Sequence, residues 1–270
     1  MTFHVSRGFQ GLIRTAGHLL TSFPRARSSC SACIAIMVAF GFTSPVVAQK
    51  RSLPELQRTD RGRLCITNGI VSGLVGDRLT VDTPSSRAII QAGAENATDQ
   101  IAEIQFRYLG PSQESRPLAS GELRRQIGLK LRAQDSCNLI YAMWHIEPDA
   151  RVAVSIKRNA GLHTHEQCGA RGYINFKSQD GGDLPPIRPG EAHELRAVLH
   201  GTDLTVTADG KVAWHESLGS EMALPVGPPG FRTDNARFTF DYFVAASARI
   251  RPTSQQAPPG RGQCVISEGD

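Results

Sequence analysis

The sequence predicts an all-β fold, a two-sheet antiparallel β-sandwich of the jelly-roll type. Apolar and polar residues alternate with period two over most of residues 194–244, which is typical of strands with one buried and one solvated face. Asp209 and Gly210 lie between two such runs and predict a type I′ hairpin turn. Short strands separated by glycine and proline turns, with no convincing helix between them, favour a sandwich.

The strands can be placed in order along the chain. Alternating runs occupy residues 103–108, 126–133, 152–157, 195–199, 204–208 and 238–242. Residues 137–146 are apolar on both faces, which predicts a central strand of the sheet. We expect Trp214 at the rim of the hairpin. The expected core residues are Leu195, Leu204, Val206, Phe238 and Phe240.

Residues 1–48 contain the parts of a secretory signal in their usual order. They contain four arginines and no acidic residue, followed by an apolar run over residues 34–42 and then Val46-Val47-Ala48. A basic start, a short apolar stretch and a small residue at the end predict cleavage after Ala48. The apolar run is far shorter than the about 20 residues of a membrane span. We therefore expect a periplasmic or secreted protein with no membrane span in the mature chain.

The charge balance changes once this segment is set aside. Of 30 basic residues, 4 lie in the segment, which leaves 26 against 25 acidic ones, a net charge near +1. Nucleic-acid binders usually carry a concentrated basic stripe, so we expect no nucleic-acid partner. The remaining length fits one β domain at residues 64–250, after a flexible leader at 49–63 and before a tail at 251–270. The sequence does not specify an oligomeric state.

Four cysteines remain after the predicted cleavage site: Cys65, Cys137, Cys168 and Cys264. An even number in an exported chain predicts two disulfides, and four cysteines allow three pairings. We favour Cys65 with Cys264, which would join the two terminal segments and pin the tail. The other pair, Cys137 with Cys168, would attach a loop to the central strand.

Two segments resemble a known superfamily: the hairpin AHELRAVLHGTDLTVTADGKV and the closing run GPPGFRTDNARFTFDYFVA. They are similar to the concanavalin A-like lectin/glucanase superfamily, and within it to laminin-G-like and 3-keto-disaccharide hydrolase-like domains. The resemblance implies a concanavalin A-like sandwich. The glucanases of that superfamily need carboxylates in the order E-x-D-x-x-E or E-x-D-x-E for retaining hydrolysis, and this chain lacks that array. Asp180, Asp183 and the Asp234-Asn235 pair are the candidates for a calcium loop, but such residues usually serve turn geometry.

A mixture of aromatic and polar residues predicts a saccharide site. Sugar rings stack on aromatic faces while their hydroxyls pair with polar side chains. The alternative is that the two aromatic residues on the central strand simply pack in the core. The candidate ligand-binding residues are Tyr141, Trp144, Arg132, Arg171 and Tyr173.

The loop at residues 158–169 combines two histidines, a carboxylate and a cysteine. His165 with Glu166 is a candidate acid/base pair. His163 and His165 are candidate zinc ligands if others come from elsewhere. The alternative is a solvated loop pinned by the disulfide. We expect no cofactor, with calcium and zinc left open.

Three functions remain. We expect a non-catalytic exported domain that binds a glycan or another component of the cell envelope. The alternative is a glycosidase-like hydrolase acting on a sugar derivative, which the resemblance to 3-keto-disaccharide hydrolase-like domains implies. The third is a structural or interaction domain without a small ligand.

Overall fold

The computed structural model describes residues 55–74, 76–91, 99–177, 184–219 and 225–246. Nearly all regular structure in these ranges is β-strand, which confirms the predicted all-β class. The predicted signal segment and the C-terminal tail lie outside the described residues. No helix in the described part of the chain has the length and hydropathy of a membrane span.

The described residues form twelve strands and two short helical turns. The turns are a 3-10 turn at Arg61–Arg63 and one α-helical turn, α1 (His165–Cys168). The strands are β1 (Gln57–Thr59), β2 (Leu64–Asn68), β3 (Leu79–Ile90), β4 (Asp99–Pro111), β5 (Arg125–Leu131), β6 (Leu139–Glu147), β7 (Arg151–Lys157), β8 (Tyr173–Phe176), β9 (Ala192–His200), β10 (Asp203–Ala208), β11 (Lys211–Ser217) and β12 (Gly230–Ala246).

All strand pairs are antiparallel, and β12 links two layers. Layer A consists of β11, β10, β9, β4 and residues 236–246 of β12. Layer B consists of residues 230–234 of β12 followed by β5, β6, β7 and β8. The ring of Phe106 on β4 meets that of Trp144 on β6 edge to face, with centroids 5.7 Å apart. The inner faces of the layers therefore pack on each other, which confirms the predicted two-sheet sandwich.

The change of layer within β12 occurs at Asn235. This residue has φ of 53°, a left-handed conformation that asparagine tolerates better than most residues. Its side-chain amide donates to the carbonyls of Arg116 (2.8 Å) and Arg124 (3.1 Å) and accepts from the Arg116 N–H (2.7 Å). The pairing of β12 with β4 shifts register just beyond it, between Ala236 and Phe238. The Asp234-Asn235 pair therefore belongs to a bend within β12.

The predicted hairpin joins β10 and β11. Asp209 and Gly210 have φ of 50° and 74°, and Ala208 pairs with Lys211 on either side of them. Positive φ at both central positions is what a type I′ turn requires. The predicted turn is confirmed.

The central strand prediction is confirmed by β6, whose residues from Leu139 to Ile146 are all buried. Ile140, Ala142, Trp144 and Ile146 face the main core between the layers. Leu139, Tyr141 and Met143 belong to a second apolar cluster, which also includes Cys65, Ile89 and Ala133. Because side chains alternate along a strand, this second cluster lies on the outer face of layer B. The five residues assigned to the core from the sequence are all buried in the main cluster.

Two expectations differ from the structure. The predicted flexible leader at 49–63 contains β1, in which Thr59 pairs with Tyr242 of β12. This pairing joins segments far apart in the chain, and no local pattern in the sequence predicts it. Trp214 was expected at the rim, but it is fully buried in the main core. The reason is that Trp214 pairs with Val206 beside a register shift of the hairpin.

Cys137 and Cys168 form a disulfide, as predicted. The bond joins the start of β6 to α1, and both residues are fully buried. Cys65 on β2 is also disulfide-bonded, while its predicted partner Cys264 lies outside the described residues.

Candidate functional site

The candidate site is the outer face of layer B, where polar and aromatic side chains share a surface. The register sets Arg232 of β12 opposite Gly128 of β5, and Gly128 opposite Met143 of β6. One step along, Tyr141 of β6 lies between Lys130 and Ser155. Alternate positions on neighbouring strands share one face. This face therefore combines residues that are up to 104 positions apart in the chain.

A pair of stacked tyrosines lies on this face. The rings of Tyr141 and Tyr173 have centroids 6.2 Å apart and an interplanar angle of 21°. Arg232 Cζ lies 5.3 Å from the centre of the Tyr141 ring, and Lys157 Nζ lies 5.5 Å from that of Tyr173. Tyr141 is 3% exposed and Tyr173 is 38% exposed. Tyr173 is therefore the more exposed of two stacked rings, and a cation lies over each ring.

The buried pair Arg232 and Asp234 supports this arrangement. Arg232 Nε donates to Asp234 Oδ2 at 2.7 Å and Nη2 to Oδ1 at 3.2 Å. Gln126 Nε2 and Ser85 Oγ donate to the same carboxylate, at 2.5 and 3.0 Å. Burial alone would raise the pKa of Asp234, but the charge and hydrogen bonds of Arg232 outweigh it and hold the pKa below its usual value. Asp234 therefore remains ionised and fixes the guanidinium over Tyr141.

Gly128 makes room on this face. A Cβ built at Gly128 would lie 2.5 Å from Met143 Sδ and 2.5 Å from the Ala142 carbonyl oxygen. These contacts are shorter than van der Waals separation, so any larger residue would displace Met143. Because Gly128 has no side chain, Met143 of β6 can pack against the position on β5 that lies opposite Arg232.

His145 is a second buried polar group on this face. Its Nδ1 has no hydrogen-bond partner, and its Nε2 lies 3.4 Å from Arg124 Nη1. Burial, and after it the positive charges of Arg124 and Arg151, lower the pKa of His145 to about 3. The imidazole is therefore neutral at physiological pH.

The loop at residues 158–169 is fixed near the start of β6. His163 Nδ1 lies 2.8 Å from Asp135 Oδ2, and Ser136 Oγ donates to the His163 carbonyl at 3.1 Å. His165 is partly buried on α1 and Glu166 is exposed. Cys168 is in the disulfide, so its sulfur is not a thiolate ligand. Nowhere in the described ranges do three His, Cys, Asp or Glu side chains group so as to hold a metal ion. The acid/base and zinc roles of this loop stay predictions.

Of the five predicted ligand-binding residues, the structure brings two together, Tyr141 and Tyr173. Trp144 is 1% exposed and faces the main core, so its predicted contact with a ligand is wrong, because its position on β6 has the opposite parity from Tyr141. Arg132 donates from Nη2 to the Gly201 carbonyl at 2.8 Å. Arg171 donates to the Cys168 and Gln167 carbonyls at the end of α1. Both arginines thus donate hydrogen bonds to backbone carbonyls.

Arg232 is not among the predicted site residues, and Asp234 is predicted only as a candidate for a calcium loop. A signal for the pair exists, because opposite charges at positions i and i+2 of a strand lie on one face. The residues that surround Arg232 and Asp234 depend on the pairing of β12 with β5, which is a long-range contact.

No family model matches this chain, and no curated protein matches it. The carbohydrate binding module CBM66 from Bacillus subtilis is 14% identical, covers 66% of this chain and 91% of its own, and has a TM-score of 0.45. The carbohydrate recognition domain of Emp46p, metal-free form, is 10% identical over 68% of this chain and 88% of its own, with a TM-score of 0.46.

The exoplasmic/lumenal domain of VIP36, in a Ca²⁺/Man-bound form, is 13% identical, covers 70% of this chain and 85% of its own, and has a TM-score of 0.42. The sandwich architecture of this chain is established by its own strand pairing.

Proposed function

We propose that this chain is a non-catalytic domain that binds a glycan on the outer face of layer B, with Tyr173 as the stacking platform. The observation that carries the proposal is the tyrosine pair, in which an exposed ring is held by a buried one. A ring fixed in this way loses little rotamer freedom when a sugar stacks on it. Asn175 is exposed and lies two residues along the same strand, where its amide can pair with sugar hydroxyls.

Binding rather than catalysis is the function that this geometry favours. Hydrolysis of a glycosidic bond normally uses two carboxyl groups facing the scissile bond. Asp234, the buried carboxylate of this face, is engaged by three side chains. Glu166, the candidate acid, lies on α1 and faces solvent.

We further propose that the protein acts outside the cytoplasm, in the periplasm or as a secreted protein, with a component of the cell envelope as its partner. The signal-like residues 1–48 support export. The Cys137–Cys168 disulfide supports an oxidising compartment, because such bonds are rare in the cytosol.

The test is a glycan array with bacterial envelope and plant polysaccharides, followed by titration of the best ligand. Tyr173→Ala is expected to weaken binding roughly 5- to 30-fold, because loss of one stacked aromatic removes about 1–2 kcal/mol. Ile174→Ala is the matched control, since Ile174 is the next residue and is exposed to a similar extent. It should leave affinity unchanged.

Equal affinity of the Tyr173→Ala variant and the native protein would sink the proposed site. No binding to any polysaccharide would leave the structural or interaction function as the better hypothesis. Turnover of a glycoside by the purified protein would instead favour the hydrolase.

A further inference from the structure

A second cluster of polar groups lies around His193 at the start of β9. The His193 ring packs against Phe106 and Trp144, with centroids 5.7 and 5.5 Å away, and its side chain is 12% exposed. Nδ1 lies 2.8 Å from Asp209 Oδ2. In a neutral ring, Asp209 would accept the Nδ1 proton and the Nε2 lone pair would be available to a ligand.

Glu191 faces this nitrogen. Its Oε2 lies 3.6 Å from His193 Nε2, and it also accepts from the Arg188 N–H at 2.9 Å. Nε2 is buried and has no hydrogen-bond partner. A neutral imidazole would thus direct a lone pair towards a carboxylate, and two such acceptors need a cation between them.

A cavity of about 550 Å³ adjoins these groups. Pro185, Pro186 and Ala192 line it together with Arg188, Glu191 and His193. The cavity is large enough for water or a small ligand next to the histidine and the carboxylate.

We propose that His193 Nε2 and Glu191 bind a divalent transition-metal ion of the Zn²⁺ class, with the cavity supplying water or a ligand to complete its coordination. Zinc takes histidine nitrogen and carboxylate oxygen at about 2.0–2.2 Å, so two tetrahedral ligands lie about 3.4 Å apart. The observed separation of 3.6 Å fits this geometry. Asp209 would be the outer carboxylate that orients a metal-binding histidine, and the Arg188 N–H would hold the ligating Glu191.

The surroundings distinguish His193 from two other histidines. His163 with Asp135 and His200 with Asp99 form the same kind of pair at 2.8 Å, but their side chains are 60% and 64% exposed. In the described ranges, each has one carboxylate within ion-pair distance, whereas His193 has two.

The experiment is calorimetric titration of the full-length, chelator-treated protein with ZnCl₂. Binding of zinc elsewhere in the chain is removed by comparing variants. His193→Phe preserves the aromatic packing and removes the ligand nitrogen, and Glu191→Gln changes a half-exposed side chain. Each should abolish one zinc equivalent or weaken it at least tenfold. His200→Ala is the matched control and should bind as the native protein does.

Asp209→Asn tests the outer carboxylate. Asn-Gly is the preferred type I′ dipeptide, so the turn is retained. The amide nitrogen would donate to Nδ1 and move the imidazole proton to Nε2, so zinc affinity should fall about 10- to 100-fold. If the native protein binds no zinc beyond what His193→Phe binds, the proposal is wrong and a protonated imidazole between two carboxylates explains the geometry. Neither outcome depends on glycan binding, because Tyr173 is not part of this cluster.

Discussion

Replacing Asp234 with alanine should expose how the outer face of layer B is held together. Asp234 is fully buried and accepts hydrogen bonds from Arg232, Gln126 and Ser85. The substitution leaves the Arg232 guanidinium over Tyr141 without its anion, in a site from which water is largely excluded.

The expected loss of stability is about 3–5 kcal/mol, the usual result of removing one partner of a buried ion pair. For a domain of this size, each kcal/mol lowers Tm by about 2–4 °C, so Tm should fall by roughly 10 °C. Most of this loss comes from the stranded cation. The double variant Arg232→Met with Asp234→Ala should therefore be less destabilised than the sum of the two single variants.

The assay is denaturant unfolding followed by circular dichroism, with the double-mutant cycle measured under one condition. Asp241→Ala is the matched control, because Asp241 lies on the same strand and pairs with Arg58 and Arg78, which are both exposed. It should lose less than about 1 kcal/mol. A loss in Asp234→Ala no larger than that in Asp241→Ala would refute the reasoning.

Two further predictions concern the same face. Gly128→Ala should destabilise the domain by about 1–3 kcal/mol, because its Cβ would overlap Met143 and the Ala142 carbonyl; chemical unfolding measures this, and an unchanged midpoint would show that β6 can shift. The pKa of His145, about 3 in the folded state because of burial first and neighbouring arginines second, lies below its unfolded value of about 6.5. The unfolded state binds more protons between these values, so stability should fall by about 1.4 kcal/mol per pH unit as pH drops below about 6.5. His145→Leu should flatten that part of the pH profile, and an unaltered slope would contradict the assignment.

Much of the fold follows from local patterns. The alternation in β4, β5, β7, β9 and β10 is explicit in the sequence because each strand has one face on the core. β3 carries no such pattern. Its middle, including Pro84, is partly exposed, so its place beside β12 follows from long-range pairing alone.

The candidate site was predictable only in part. Tyr141 and Tyr173 were selected for their chemistry, and the Cys137–Cys168 disulfide brings the segments that carry them together. Trp144 was selected on the same grounds but faces the core. A strand that is apolar on both faces gives no parity signal, so local pattern cannot decide which of its aromatic residues points outward.

The sequence by itself determined the all-β class and the turn at Asp209-Gly210, because these depend on alternation and turn chemistry. It allowed three cysteine pairings, and the structure shows that Cys137 pairs with Cys168. Only the tertiary structure decided that the Arg232 guanidinium lies over the Tyr141 ring and that the Asp209 carboxylate contacts the His193 imidazole. Contacts of this kind depend on strand register and on the bend of β12 at Asn235. Both are set by the packing of two layers on one core, which no single segment encodes.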